Sequence, residues 1–425
     1  MDTNLEKHLS CSNYYQSINI LNGISTKYPH AISLASGSPD NAYSYQNHIK
    51  SGMAEFEEHC LKKEIDYNTV VHQYSPTKGI ANEIISQHLL TDYTIKVDSE
   101  NIITTVGFQE SVLIAILCIF QFPKECLIIP DPVFPGIAGA ARLARIDIIP
   151  VPSEIFHNEM KLELLIRKIN ASGKKVKAIY TVPDFCNPSA DTLTLMDRKN
   201  IINLAERYDF YILEDNAYTL FRFKGENISP IKQLSDQRVF YIGTFSKTLF
   251  PGLRVGYLAT PKTSLSNNFS HLSTTIKTFT TVNTPPICQA IVAGILLKND
   301  FSLREFNKER LETYKIRNKS IEINIKKNLS SRSLFSQNPM PKINGGFFRN
   351  LKLPFKFGTK ELDECAKKFN VIVFPISCMS FFENTEKDFL IRISFVNNNE
   401  KKLSKALNNL FNFIDHKLVA NDKNL

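Results

Sequence analysis

A single lysine among hydroxyl residues is the feature of this 425-residue chain that points most directly to chemistry. Lys247 follows Ser246 and lies close to Thr244, and Arg254 comes seven residues later, all just after the apolar run 239–242. Lysine amines form imines with aldehydes, and hydroxyl groups together with a guanidinium bind phosphate. These residues predict a lysine that bonds to an aldehyde whose carrier is held by its phosphate.

The wider segment 244–257, Thr-Phe-Ser-Lys-Thr-Leu-Phe-Pro-Gly-Leu-Arg-Val-Gly-Tyr, resembles the lysine signature of the class I/II aminotransferases. A lysine between hydroxyl residues is by itself typical of a solvated loop, whereas the combination is specific. The resemblance implies a fold-type I enzyme in which Lys247 forms a Schiff base with pyridoxal 5'-phosphate. Thr244, Ser246 and Arg254 are then cofactor-binding residues.

Two acidic residues, Glu214 and Asp215, directly follow the apolar segment 210–213. Because side chains alternate along a strand, the two carboxylates should point to opposite faces of the sheet. Such acids are commonly caps or surface residues, but with Tyr218 they resemble the family pattern Glu-Asp-x-x-Tyr. Pyridoxal phosphate is an electron sink only while its ring nitrogen is protonated, which requires a buried carboxylate nearby. The resemblance assigns this role to Asp215 and a hydrogen bond to the ring oxygen to Tyr218, and it makes both catalytic with Lys247.

Two turns after predicted strands supply further cofactor-binding candidates. Asn187 precedes Pro188, which is ordinarily only a turn signal, but here it resembles the family's Asn-Pro element, whose amide lies near the ring oxygen and the substrate carboxylate. Gly107, Phe108 and Gln109 lie between a strand and an apolar helix. Free N–H groups at such a helix start favour an anion, and the turn is similar to the family's phosphate-binding Gly-Ser-Gln.

Aromatic and cationic candidates complete the predicted site. By resemblance, Phe134 in the segment 131–135 stacks on the cofactor ring, although a core phenylalanine is the ordinary alternative. Arg392 lies in an apolar segment, where a charge is costly unless it is paired. In the family the matching arginine binds the substrate α-carboxylate.

The N-terminal part resembles, within the family, the branch of 2-aminoadipate and kynurenine aminotransferases and of MocR-type regulators. Gly37, in a Ser-Gly-x-Pro turn, is predicted to bind substrate together with Asn187, Phe348 and Arg392. Tyr74 resembles a tyrosine that reaches the cofactor phosphate of a neighbouring subunit. A homodimer with shared active sites follows by analogy.

Several residues depart from the family pattern. Phe108 replaces a serine, Ser189-Ala190 replaces Thr-Gly, Ile376 replaces a glycine, and Arg349-Asn350 stands where apolar residues and Trp are usual. The cofactor-binding residues are intact, while those that frame the pocket differ. These departures suggest a specialised biosynthetic enzyme with an unusual amino-acid substrate.

Composition excludes several other classes of function. The net charge of +9 is dispersed, without the basic stripe or interleaved aromatic residues of a nucleic-acid-binding surface. The 8 cysteines and 9 histidines show no metal-ligand spacing, so we expect no metal site and reduced thiols. No apolar run is long enough to span a membrane, and no secretory signal is visible. We therefore expect a cytoplasmic protein.

Short β-rich segments alternate with amphipathic ones between about residues 100 and 260, which predicts an α/β fold with a mostly parallel sheet. We expect a large domain with a seven-stranded sheet flanked by helices, plus a smaller α+β domain. The predicted strands are 102–105, 126–129, 146–151, 176–181, 210–213, 239–242 and 255–259. Helices are predicted at 110–120 and 195–208, and one long connecting helix at 301–327. The smaller domain is expected to contain strands at 345–348, 371–375 and 389–394.

The predicted domain bounds are 1–60 for an N-terminal arm and part of the small domain, 61–298 for the large cofactor-binding domain and 299–425 for the small C-terminal α+β domain. The predicted function is transamination between an L-amino acid and a 2-oxo acid, with Lys247 moving the proton at the substrate Cα. Two alternatives remain open: an oxidase, hydroxylase, cyclase or lyase on the same scaffold, for example acting on an arginine-like substrate, and a non-catalytic sensor of the cofactor or an amino acid. The sequence does not name the substrate.

Overall fold

The structure is a computed structural model that describes residue 20 and residues 23–40, 45–262, 266–330 and 340–422. Its strands are β1 Ile32–Ser33, β2 Ile102–Thr105, β3 Glu125–Asp131, β4 Asp147–Pro152, β5 Lys175–Thr181, β6 Tyr211–Asn216, β7 Val239–Thr244, β8 Gly256–Ala259, β9 Phe348–Lys352, β10 Val371–Ile372, β11 Phe374–Pro375 and β12 Leu390–Ser394.

A seven-stranded sheet in the order β2-β8-β7-β6-β5-β3-β4 forms the centre of the molecule. Strands β4, β3, β5, β6 and β7 run parallel, while β8 runs antiparallel to both of its neighbours, β2 and β7. The seven predicted strands are confirmed, each within two residues at its amino end. Strands β2, β3, β7 and β8 are buried along their whole length, as expected for a sheet covered on both faces.

Helices flank the sheet and connect its strands. In chain order they are α1 Tyr45–Lys62, α2 Tyr67–His72, α3 Asn82–Tyr93, α4 Phe108–Ile119, α5 Pro135–Leu143, α6 Glu159–Ala171, α7 Leu195–Tyr208, α8 Ile231–Leu234, α9 Phe245–Thr248, α10 Ser266–Thr280, α11 Pro286–Lys298, α12 Leu303–Phe306, α13 Lys308–Ser330, α14 Thr359–Phe369 and α15 Glu400–Asp422. Helix α7 has the predicted bounds because Thr194 and Asp197 form a capping box at its start.

The predicted long connecting helix is wrong in one respect, since α12 and α13 divide it. Asn307 separates the two helices, with its side-chain amide donating to Leu303 O at 2.7 Å and its Oδ1 accepting from Arg310 at 2.6 Å. An asparagine whose amide is bonded to the backbone in this way competes with continuous helical hydrogen bonding. The second helix then continues to Ser330, beyond the predicted end.

The last part of the chain forms a three-stranded antiparallel sheet, β11-β12-β9. The predicted strand at 345–348 begins only at Phe348. Gly345 and Gly346 instead pack closely against the Phe185 side chain, and a Cβ at Gly345 would lie only 2.3 Å from its ring. Strand β1 pairs with β10, which joins the N-terminal region to this part of the chain. The predicted domain bounds stay a prediction, and residues 1–19, 21–22 and 41–44 of the predicted N-terminal segment lie outside the described residues.

Candidate active site

A cavity of about 320 Å³ lies where the carboxyl ends of β6 and β7 meet the turn after β2. The predicted residues that line it are Gly37, Phe108, Gln109, Phe134, Asn187, Asp215, Tyr218, Thr244, Ser246, Lys247, Arg254, Phe348 and Arg392. The structure therefore brings together residues from both ends of the chain. Gly107 lies beside the cavity under Arg254, whereas Tyr74 does not line it.

Lys247 is held by the short helix α9, which starts directly after β7. Thr244 caps this helix, accepting a hydrogen bond from the Ser246 N–H at 3.2 Å. The Lys247 amine donates to Gly37 O at 2.9 Å. Burial, assisted by the positive charges of Arg392 and Arg254 and opposed by Asp215, lowers the pKa of Lys247 to about 8. An amine with such a pKa is partly neutral near physiological pH, as a nucleophile or general base requires.

An anion-binding cradle forms between Arg254 and the start of α4. The Arg254 guanidinium lies 3.5 Å from Ser246 Oγ, which is 3.1 Å from Thr244 Oγ1. Gly107 has a φ of +77°, and a Cβ there would lie 2.6 Å from Arg254 Nη2, so only glycine permits this approach. The guanidinium, two hydroxyls and a helix N-terminus together suit a phosphate.

Asp215, the next-to-last residue of β6, lines the cavity, and only one of its two carboxylate oxygens accepts a hydrogen bond from the described residues. The Tyr180 hydroxyl donates to Oδ2 at 2.6 Å, whereas Oδ1 is buried and accepts no hydrogen bond from the described residues. Burial raises the pKa of Asp215 to about 7, opposed by the Tyr180 hydrogen bond and the Lys247 charge. A protonated ring nitrogen beside Oδ1 would supply the missing donor, so this carboxylate fits pyridoxal phosphate.

Glu214 points to the opposite face, as strand alternation predicts. Its carboxylate accepts hydrogen bonds from the backbone N–H groups of Ile231 and Lys232 at 2.8 and 2.7 Å. These bonds hold the start of α8 against the sheet. Of the two neighbouring acids, only Asp215 faces the cavity.

Arg392 is buried in β12 and aims its guanidinium at the cavity. It donates to Asn187 Oδ1 and, at 2.6 Å, to Ala35 O, and it packs over the Phe348 ring with 4.2 Å to the ring centroid. Its Nε is buried without an acceptor, and no carboxylate of the described residues pairs with it. Burial lowers the pKa of Arg392 to about 10. A buried cation in neutral surroundings suits an incoming carboxylate.

Aromatic rings enclose the remaining sides of the cavity. Tyr218 packs edge-on against Phe348, with ring centroids 5.9 Å apart, and burial raises the pKa of its phenol. Phe108 and Phe134 pack edge-on at 6.1 Å across the opposite wall. Phe108, which departs from the family pattern, thus presents a ring to the cavity.

Two predicted features lie elsewhere. Tyr74 is 88% exposed in the single chain. The Arg349 guanidinium turns away from the cavity toward α13, where it donates to Asn318 at 2.6 Å and Glu322 at 3.0 Å. The departure at Arg349 therefore does not place a charge in the pocket.

Sequence reasoning missed two contacts. Tyr180, in the strand beside β6, holds Asp215, and the backbone oxygen of Ala35 holds Arg392. The only sequence signal for Tyr180 is its place near the end of a buried strand adjacent to that of Asp215. A backbone acceptor such as Ala35 O leaves no signal in residue type.

Within the described ranges, no group of His, Cys, Asp or Glu is arranged to hold a metal ion. None of the described helices has the length and apolar character needed to cross a membrane. The described cysteines carry free thiols.

Residues 29–410 match the family model for aminotransferase class I and II. The chain is 32% identical over 85% of its length to (S)-3,5-dihydroxyphenylglycine transaminase of Amycolatopsis orientalis, of which it covers 83%. An archaeal alanine:glyoxylate aminotransferase structure superposes with a TM-score of 0.82, at 25% identity and 98% coverage of both chains. Pyrococcus horikoshii kynurenine aminotransferase, solved with PMP, gives a TM-score of 0.79, at 25% identity and 95% coverage of both chains.

The fold is that of the fold-type I pyridoxal-phosphate enzymes, as predicted. The chain belongs to the class I and II aminotransferases and is a pyridoxal-phosphate-dependent aminotransferase that acts on an amino acid and a 2-oxo acid. The kynurenine aminotransferase among its structural neighbours agrees with the predicted branch. Nothing in these similarities favours the oxidase, cyclase, lyase or sensor alternatives.

Proposed function

We propose that the cavity around Lys247 is the transamination site and that Lys247 is the amine to which the cofactor attaches. The observation that carries this proposal is the pair of unsatisfied buried atoms, Asp215 Oδ1 and Arg392 Nε, in the cavity that Lys247 enters. The first fits a protonated ring nitrogen and the second a carboxylate. Lys247 is close enough to Asp215 and Arg392 for both charges to shift its pKa. Its amine is therefore the group that we propose to transfer the proton at the substrate Cα.

When bound, pyridoxal phosphate supplies an electron sink that stabilises negative charge at the substrate Cα. Arg254, Ser246, Thr244 and the N–H groups at the start of α4, with Gly107, Phe108 and Gln109, hold its phosphate in this proposal. Phe134 stacks on its ring.

Asp215 keeps the ring nitrogen protonated, and Asn187 and Tyr218 hydrogen-bond the ring oxygen. Arg392 binds the substrate carboxylate and so fixes the position of the Cα proton. Gly37 and Phe348 lie beside the substrate. The Lys247 amine, with its lowered pKa, removes and returns that proton.

We propose that the enzyme is a homodimer with shared active sites. Three large side chains are exposed in the single chain: Tyr74 is 88%, Phe279 85% and Val282 48% exposed. Asn283 donates to Ser75 Oγ at 2.9 Å, which joins these two segments into one surface. Sedimentation of the wild-type chain and of Phe279→Asp tests this, with a dimer expected only for the wild type. A wild-type monomer would contradict it.

We further propose a cytoplasmic enzyme of amino-acid biosynthesis. The free thiols of the described cysteines suit a reducing compartment. Phe108 puts an aromatic ring in the cavity wall where the family pattern has serine, as a specialised substrate would require. Fractionation of cells that express the chain, with detection by antibody, tests the location. Efficient turnover of only common aromatic or branched-chain amino acids would contradict the specialised role.

The deciding experiment is an anaerobic absorbance titration of the cofactor-loaded protein with a panel of amino acids. We expect the visible cofactor band to be lost and one 2-oxo acid to be released per site, with no change in Lys247→Ala. A band that changes without release of a 2-oxo acid, or turnover that requires oxygen, would overturn the proposal.

A further inference from the structure

A buried ion pair lies behind the proposed phosphate-binding turn, outside the cavity. The Lys277 amine donates to Glu110 Oε2 at 2.9 Å. The Lys277 side chain is fully buried, and that of Glu110 is 8% exposed. Neither residue lines the cavity, so the chemistry proposed for Lys247 does not use them.

The Glu110 carboxylate holds the turn directly. Its Oε2 accepts the backbone N–H of Val106 at 2.5 Å, and its Oε1 accepts the Thr281 hydroxyl at 2.5 Å. Val106 precedes Gly107, whose φ of +77° permits the close approach of Arg254. The carboxylate thus fixes the residue that leads into the phosphate-binding turn.

The Lys277 ammonium compensates the negative charge of the Glu110 carboxylate. An uncompensated buried carboxylate in the first turn of α4 would compete with a phosphate for the positive end of the helix. Lys277 neutralises it and also donates to Thr281 Oγ1 at 3.0 Å and Thr284 Oγ1 at 3.1 Å. Thr284 in turn donates to Thr104 O at 3.1 Å, which ties the network to the end of β2.

We propose that the Glu110–Lys277 pair is a positioning device that shapes the 106–109 turn for the cofactor phosphate without touching the cofactor. This inference rests on the proposed function, because it takes the cavity as the pyridoxal-phosphate site. The pair holds the N–H groups and Gly107 in place, so its removal affects recognition of the phosphate and leaves recognition of the pyridine ring unchanged.

The test compares two ligands that differ only in that phosphate. Dissociation constants of pyridoxal 5'-phosphate and of unphosphorylated pyridoxal are measured by absorbance on the cofactor-free full chain. The variant Glu110→Ala/Lys277→Met removes both charges together and leaves the Val106 N–H without its acceptor. We expect its Kd for pyridoxal phosphate to rise about tenfold, because a hydrogen bond that orders the anion-binding turn is lost. Its Kd for pyridoxal should stay within twofold of the wild type.

Glu110→Gln/Lys277→Met is the conservative rescue, since the amide oxygen can still accept from Val106 N–H; we expect near-wild-type affinity for both ligands.

A matched control exists at the other end of the sheet. Glu125 also accepts a backbone N–H four residues earlier, from Gln121 at 2.8 Å, and pairs with Lys177 at 3.6 Å. Glu125→Ala/Lys177→Met should leave the ratio of the two dissociation constants unchanged.

Equal weakening of both ligands by Glu110→Ala/Lys277→Met would overturn the inference, as would an unchanged ratio or the same selective loss in the control. If that variant does not fold, Thr281→Val, which removes one donor to Glu110, must still weaken pyridoxal phosphate more than pyridoxal. Failure of the wild-type chain to bind pyridoxal phosphate would instead refute the proposed function.

Discussion

Arg392 and Asn187, 205 residues apart in the chain, are bonded side chain to side chain, with the guanidinium donating to the amide oxygen. This contact leaves the amide nitrogen of Asn187 as the group able to donate to another molecule. It also fixes one edge of the guanidinium, while Nε stays without an acceptor. The cation and the amide therefore form one unit in the cavity.

Arg392→Lys should raise the KM for the amino acid about 10- to 100-fold with a smaller fall in kcat, because an ammonium cannot reproduce the planar fork of a guanidinium. Steady-state kinetics with the best donor from the panel measure it. Arg349→Lys is the matched control, since Arg349 is also buried but points toward α13. A similar rise in KM for both variants would argue against carboxylate binding by Arg392.

Lys247→Ala should abolish the visible cofactor band and reduce turnover roughly 10²- to 10⁴-fold, the usual contribution of a positioned acid–base group. Absorbance spectra and single-turnover release of the 2-oxo acid measure these effects. Lys175→Ala, which removes an exposed lysine paired with Asp209, should behave as the wild type. Full turnover by Lys247→Ala would move the covalent role to another amine.

Asp215→Asn should lower kcat about 10²- to 10³-fold, because an amide cannot supply the charge that stabilises a protonated ring nitrogen. The cofactor should still bind, and its absorbance should show a changed protonation state. Glu214→Gln, on the opposite face of the same strand, should lower stability while the turnover of folded protein is kept. Equal kcat for wild type and Asp215→Asn would contradict the assignment.

The cofactor-free enzyme should lose stability as the pH rises through the titration of Asp215. Its pKa in the folded chain is about 7, above the unfolded value near 4, so the native state binds the proton more tightly. The stabilisation is complete below pH ~4 and lost by pH ~7, a change of a few kcal/mol at about 1.4 kcal/mol per pKa unit. Asp215→Asn should therefore have a higher Tm than the wild type at pH 8 and an equal one near pH 4. Parallel Tm profiles would refute this.

The sheet could be predicted from the sequence because buried parallel strands are short apolar runs, which 239–242 and 176–181 illustrate. That Lys247, Asp215 and Arg254 line one cavity was predictable because each lies in a segment that resembles a family motif. The division of the connecting helix at Asn307 was not predictable, because residue type alone does not say whether an asparagine side chain bonds to the backbone of the preceding turn. Tyr180, Ala35 and the Glu110–Lys277 pair were missed for a different reason: their partners are distant in sequence, and Ala35 acts through its backbone.

The strand order has a consequence for how the protein is made. Strand β2, the first of the large sheet to be synthesised, pairs with β8, the last, so the sheet cannot close until residue 259 has left the ribosome. Arg392 must then reach Ala35 across nearly the whole length of the chain. Pairing across such distances is slow to form. In the proposed assignment, a nascent chain therefore has its cofactor-binding residues before the arginine that completes the substrate side of the cavity, which arrives only with β12.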